Sequence, residues 1–233
     1  MQIKSIETWM RCVAEIYSVS NTYQTDKFQF DEEKGAAAMV TKLKYGNTNT
    51  YFIRGAKGSI LLDTDYAGTL QMFYKEIKKN GIALKDITHI LATHYHPDHM
   101  GLVGELVSMG VKFLVMDTQV PNLHFSDEIF SRDKTLRLLP SVPEDKAEVI
   151  ACEDSRAFLA ALGIDGEIVS TPSHSEDSIT LVLDSGDCFV GDLEPMEFMD
   201  GYEENKALQS DWEKVMSFSP RVIYYGHAPK KVL

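Results

Sequence analysis

The sequence predicts an α/β protein: one domain of two β/α halves, its mixed sheets covered by helices. Three observations carry that prediction. Runs of β-branched and apolar residues alternate with helical-period segments: strands, helix, strand, helix, strand, then helix, strands, helix, strand. The 233 residues suit a single domain, 1–233, with an ample core. Hydrophobic residues make up 44% and charged residues 25%, which excludes a largely disordered chain.

Taken in order, Ile6, Trp9, Met10, Val13, Ile16 and Tyr17 recur at helical spacing, so residues 5–17 read as a short amphipathic helix in an N-terminal extension, 1–36. Strand-like runs follow at 37–45, 50–54 and 59–63, parted by the turn sequences Gly46-Asn47 and Gly55-Ala56-Lys57-Gly58. Residues 67–79 read as a helix stopped by Asn80-Gly81. ITHILATH (87–94) reads as a buried strand, then 100–109 as a helix and 112–116 as a strand. Residues 117–148 hold Pro121, Pro140 and Pro143 with Phe125, Ile129 and Phe130. They read either as a lid or binding loop, or as a surface helix pair with ordinary core anchors. A helix over 153–162 stops at Gly163, strands follow at 166–170, 178–184 and 187–192, and a helix over 203–216 precedes a last strand at 221–225.

The charge excludes more partners than it names. With 23 Lys+Arg against 35 Asp+Glu, the net charge is 23 − 35 = −12, which disfavours nucleic acid and anionic membranes. Cys12, Cys152 and Cys188 are odd in number and far apart, giving no disulfide framework and no CxxC knuckle. Glu7 and Arg11 interrupt the apolar positions near the N-terminus, so neither a signal peptide nor a membrane span is read there. The expectation is a cytoplasmic protein acting on a small molecule.

The densest chemistry is THYHPDH at 93–99, three imidazoles and a carboxylate directly after an apolar strand. Neutral imidazole and carboxylate suit Zn²⁺ and other first-row divalent ions. His94 and His96, two apart, face one side of extended backbone, and Pro97 then turns the chain toward Asp98 and His99. The segment offers four candidate ligands, enough to contribute to two ions. His174 (in STPSHSEDS), Asp192 (ending DCFVGD) and His227 (in YYGH) also follow strand signals, and the Asp192 carboxylate is suited to bridging two ions. Asp63, after SILL, suits a supporting role toward a ligand histidine, with Asp65 as the alternative. His89 and His124 have no such context and read as ordinary histidines.

With those segments in place, the chain resembles the metallo-β-lactamase-fold hydrolases over about residues 37 to 229. LLDTD is similar to the first motif of that superfamily, THYHPDH to the second, TPSHSEDS to the third, FVGDL to the fourth and YYGH to the fifth. The resemblance implies a four-layer αββα sandwich with metals in a shallow groove at one edge. It implies that His94, His96 and His174 hold a first ion, that Asp98, His99 and His227 hold a second, and that Asp192 bridges them. Ser173 departs from the third motif, which has glycine before its histidine, so the turn at His174 is expected to be shaped differently.

The chemistry implied is metal-dependent hydrolysis. Two divalent ions, zinc in preference to iron or manganese, make hydroxide available from a bridging water near neutrality and polarise a substrate oxygen. Asp98 then orients the nucleophile, and Tyr95 or Tyr225 is a candidate donor to the oxyanion, though both are more often packing residues. Asp192 separates the chain from true β-lactamases, which lack aspartate at the bridging position. Only six residues follow His227, where glyoxalase II-type thioesterases continue into a helical domain. Nucleases of the fold carry basic arms or extra domains, and flavodiiron proteins place Glu where His96 stands. N-acyl homoserine lactonases come nearest in size and ligand set, with Pro195 where they carry a catalytic tyrosine. Esters, lactones, thioesters, amides and small phosphodiesters are the substrates expected. The alternatives are an iron oxidoreductase of the same fold and a metal-bearing sensor with little turnover.

Overall fold

The computed structural model describes residues 38–136, 139–198 and 204–233. The helix expected over 5–17 lies outside them. Strands β1 (Met39–Leu43), β2 (Thr50–Arg54), β3 (Ser59–Leu62), β4 (His89–Leu91), β5 (Lys112–Met116) and β6 (Ala147–Ile150) form one sheet in chain order. Its first three strands pair antiparallel and the rest parallel. The second sheet contains β7 (Gly166–Ser170), β8 (Ile179–Leu183), β9 (Asp187–Gly191), β10 (Val222–Tyr225) and β11 (Lys231–Val232), ordered β11-β10-β9-β8-β7. There only β9 and β10 run parallel.

The sheets pack face to face because alternate residues of their strands are apolar. Tyr51, Ile53, Ile60, Leu62, Leu91, Leu114 and Met116 of the first sheet meet Ile168, Ile179, Leu181, Leu183 and Phe189 of the second. Burying each such side chain contributes about 1.5–3 kcal/mol. Residues of the opposite phase, among them Phe52, Leu61, Ile90, Phe113 and Val115, are buried as well, so the first sheet has two covered faces. Helix α1 (Leu70–Lys79) buries Leu70, Phe73 and Ile77 along one stripe and ends at Asn80, with Gly81 in the left-handed region as the sequence predicts. Past the short α2 (Pro97–Met100), helix α3 (Val103–Ser108) lies against β4 and β5. The short α4 (Asp127–Arg132) and α5 (Ser155–Ala161) follow, and Leu159 of α5 joins the core between the sheets.

Outside the second sheet, α6 (Lys206–Ser217) packs Leu208, Trp212 and Val215 against Val182, Cys188, Val190 and Ile223. The Asn205 side chain starts this helix by accepting from Leu208 N at 3.1 Å. The order helix, sheet, sheet, helix is the expected αββα sandwich.

Several boundaries differ from the sequence reading. The strand expected over 87–94 keeps only His89–Leu91 in the ladder, because the chain beyond it leaves the sheet. Of the helix expected over 100–109 only Val103–Ser108, α3, is formed, and Met100 instead ends the preceding short α2. Residues 117–148 contain 3₁₀ turns at Asp117–Asn122 and Glu144–Lys146, helix α4, and the first two residues of β6, an edge strand the sequence did not suggest. Strand β11 was likewise not expected. No described helix is long and apolar enough to cross a membrane.

Candidate metal centre

Five strand ends deliver the chemistry to one place. β3 leads into Asp63, β4 into His94–His99, β7 into His174, β9 into Asp192 and β10 into His227. Between β4 and α2 the backbone bends so that His94 and His96 converge while Tyr95 turns into the core, fully buried. Pro97 occupies the first turn of α2 with His96 as its cap, and this short helix carries Asp98 and His99.

All seven predicted ligand side chains gather here. Among the described residues they form three overlapping groups whose ligand atoms lie within 4.8 Å of one another: His94, His96 and His174; Asp98, His99 and His227; and His94, His99 and Asp192. In the first, His96 Nδ1 lies 3.0 Å from His94 Nε2 and 3.2 Å from His174 Nε2. In the second, His227 Nε2 lies 3.2 Å from His99 Nε2 and 3.1 Å from Asp98 Oδ2. Asp192 stands between them, its Oδ2 3.4 Å from His227 Nε2, 3.9 Å from His174 Nε2 and 4.0 Å from His94 Nε2.

These spacings suit an ion. Two nitrogens each ~2.1 Å from a tetrahedral metal stand ~3.4 Å apart. Among the described residues, buried Asp192 Oδ1 has His99 Nε2 at 3.3 Å and no well-formed hydrogen bond, so a lone pair is left facing the cluster. The electrostatics ask for a cation too. Burial alone would lower the His99 pKa, but Asp63 and Asp192 outweigh it and raise it to about 10. Burial, then the neighbouring imidazoles, holds His94 well below the ordinary value. Proton and metal compete for the same place among these carboxylates.

The supporting shell explains the local sequence. Asp63 sits at φ +59, a conformation aspartate tolerates, and this turns its carboxylate back into the site. There it accepts from Thr93 N at 2.6 Å and Thr93 Oγ1 at 2.9 Å, and lies 3.0 Å from His99 Nδ1. Asp65, the alternative, braces Thr48 N and Tyr66 N instead. Gly226 admits no side chain, because a Cβ there would stand 2.5 Å from Asp192 Oδ1 and 2.8 Å from His99 Cε1. Gly191, at φ +57 and pressed against Thr93, makes the turn that aims Asp192.

Sequence reasoning missed several braces. Asp177 Oδ2 accepts from Tyr95 N at 2.6 Å, between His94 and His96. Buried Gln119 donates to Ala92 O at 2.9 Å. Ser173 does not adopt positive φ, so serine stands there without backbone strain. Its N–H donates to Asp211 Oδ2 of α6 at 2.7 Å, which fixes the chain entering His174. Nothing local marks these residues, whose partners are distant in sequence.

The remaining assignments sort cleanly. His89 is buried, 2.8 Å from Thr88 Oγ1, and His124 is exposed between Asp127 and Glu144; neither joins a ligand group. Tyr95 and Tyr225 are buried in packing contacts with Phe113 and Trp212, and among the described residues the Tyr95 hydroxyl has no hydrogen-bond partner. Cys152 and Cys188 are free thiols.

A two-sheet sandwich with a histidine–aspartate cluster at its strand ends has the architecture of a metallo-hydrolase. The chain belongs to the metallo-beta-lactamase superfamily, whose family model matches residues 43–227. It is 30% identical over 192 residues to a beta-lactamase-like protein 2 homolog of Drosophila melanogaster, a match covering 77% of this chain and 58% of that one. It is 31% identical over 152 residues to a probable metallo-hydrolase of Methanocaldococcus jannaschii, covering 63% and 68% respectively. The chain thus spans little more than half of the Drosophila relative. Among solved structures, a metallo-beta-lactamase family protein of Thermus thermophilus aligns with TM-score 0.64 at 19% identity, covering 84% of this chain and 75% of its own. TTHA1623, solved in a di-iron-bound form, aligns with TM-score 0.59 at 21% identity, covering 83% of this chain and 94% of its own.

Proposed function

We propose that this protein is a dinuclear metal-dependent hydrolase of a small ester, lactone, thioester, amide or phosphodiester. The observation that carries the reading is the convergence of two three-donor groups on either side of Asp192. His94, His96 and His174 would hold one ion, Asp98, His99 and His227 the other, with Asp192 shared. When bound, two divalent ions supply a nucleophile from water near neutral pH and an electrophile for the substrate oxygen.

The residues divide the remaining work by exposure. His94 and His99 form a buried floor, while His174 and His227 stand at an open rim where a substrate can approach. Asp98 is 35% exposed against 17% for Asp192, so it is the carboxylate better placed to accept from a water and orient it. The tyrosine hydroxyls are too enclosed for that task. A net charge of −12 supports a small-molecule substrate over nucleic acid or a membrane surface, and the free thiols support a reducing, cytoplasmic setting.

The test is metal analysis of protein purified without added metal, followed by a panel of p-nitrophenyl esters, lactones, thioesters and bis-p-nitrophenyl phosphate. Two divalent ions per chain, preferentially zinc, with turnover of one class is expected. The di-iron form of TTHA1623 favours iron as the second reading. Iron content with O₂ consumption and no hydrolysis selects an oxidoreductase; metal content without any turnover selects a sensor.

A further inference from the structure

The two ligand groups are braced by different residues. The braces of the second group include a dipeptide outside all the motifs above. The turn between β1 and β2 ends in Thr48 and Asn49, both closed to solvent. Asn49 Nδ2 donates to Tyr225 O at 2.9 Å and Ala228 O at 3.0 Å, and Asn49 N donates to Gly226 O at 2.7 Å. Those three carbonyls flank His227 on both sides. Thr48 Oγ1 donates to Asp98 O at 2.7 Å. One dipeptide therefore ties Asp98, from the first half of the chain, to His227, from the second.

His227 needs this support. A ligand histidine ordinarily has its outer N–H held by a carboxylate or carbonyl. His99 has Asp63 for that purpose, at 3.0 Å from Nδ1. Among the described residues, His227 makes every polar ring contact through Nε2, and its side chain is 41% exposed. Its placement must come from its backbone. Asparagine is suited to the job because its amide offers two N–H donors to two carbonyls; aspartate at the same size offers only acceptors. The other ligand group does not use this dipeptide: Asp177 holds Tyr95 between His94 and His96, Gln119 holds Ala92 just ahead of them, and Asp211 holds Ser173 beside His174.

We infer that Thr48 and Asn49 are positioning residues for the second ion position, formed by Asp98, His99 and His227, and leave the first position to its own braces. This rests on the two-ion reading above. It makes the two positions separable by substitutions that touch no ligand.

The test uses the full chain and Co²⁺ as probe. Wild type, Thr48→Val, Asn49→Ala and Asp211→Asn are titrated with Co²⁺, followed by absorption spectrum and by bound metal after gel filtration. His227→Ala supplies the reference spectrum for the first position alone. Thr48→Val and Asn49→Ala are expected to lower second-position affinity at least tenfold. They should change first-position affinity less than twofold and retain the His227→Ala spectrum at one ion per chain. Asp211→Asn should weaken the first position instead. Wild-type affinities in both dipeptide variants, or equal loss of both ions, overturn the inference while leaving two-ion binding intact. A wild type that binds fewer than two ions overturns the two-ion reading, and the inference with it. Thr48→Val exchanges one hydroxyl for a methyl, so it decides the question if Asn49→Ala does not fold.

Discussion

Asp63 Oδ2 lies 3.0 Å from His99 Nδ1, and both side chains are closed to solvent. A ligand histidine held this way has its metal-facing nitrogen fixed in direction and made more basic. Asp63→Asn keeps the shape and the tolerance for φ +59 but removes the charge. The expected result is an affinity loss of about 10–100-fold at the position that includes His99. Asp63→Ala should also lower Tm, because it abandons the Thr93 hydrogen bonds and leaves a residue that resists positive φ. Metal titration and thermal melting of the two variants check both expectations.

Asp192 is closer to the second group than to the first, at 3.3 and 3.4 Å from His99 and His227 against 3.9 and 4.0 Å from His174 and His94. Asp192→Asn is therefore expected to weaken the second ion more than the first. Stepwise calorimetric titration reads the difference directly, and a loss confined to one ion, or no loss at either, would show that Asp192 is not a shared ligand.

Glu105 gives a pH dependence independent of the metal. Burial in α3 raises its pKa from 4.5 to about 7, and among the described residues its Oε2 has no hydrogen-bond partner. With the folded value above the unfolded one, the unfolded chain loses this proton first as pH rises. Stability should fall between about pH 4.5 and 7 and level off above that. Glu105→Gln should accordingly gain on the order of 2 kcal/mol over wild type at pH 8 and almost nothing at pH 4. Urea melts across that range test the sign as well as the size.

Phe125 stands beside the site with its ring centroid 5.1 Å from that of His96, 52% exposed. Its backbone is held next to the ligand loop because buried Ser126 donates to Tyr95 O at 2.6 Å. If the protein is the proposed hydrolase, an aromatic surface fixed there would favour an apolar acyl group. Phe125→Ala should lower kcat/KM for a phenylacetyl ester roughly tenfold relative to the matching acetyl ester. An unchanged ratio would remove Phe125 from substrate selection.

Local signals served the reading where one face of an element decides its form. KFLVM at 112–116 is strand β5 to the residue, and the Gly46-Asn47 and Gly55–Gly58 turns join antiparallel neighbours as their composition suggests. The seven clustered donors were visible because histidine and aspartate at strand ends are chemically conspicuous. Strand β6 was not visible: Ala147–Ile150 is four residues long, lies at an edge and leaves Glu148 and Val149 exposed, so it lacks the pattern of burial. ITHILATH departed from its apolar pattern because Asp177 and Gln119, distant in sequence, draw residues 92–95 out of the ladder. Thr48, Asn49 and Asp211 look like common polar residues, and only the fold reveals what they hold.

Each of the two three-donor groups flanking Asp192 takes two side chains from the first half of the chain and one from the second. Neither half alone can complete a site. An ion bound there would act as a rivet between the two sheets, able to bind fully only once they have docked, and would couple folding to metal uptake. A hundredfold excess of free metal over Kd would add about 2.7 kcal/mol to stability. The protein's resistance to unfolding would then rise and fall with the free metal concentration around it, and chelation would loosen the sandwich along the edge where its work is done.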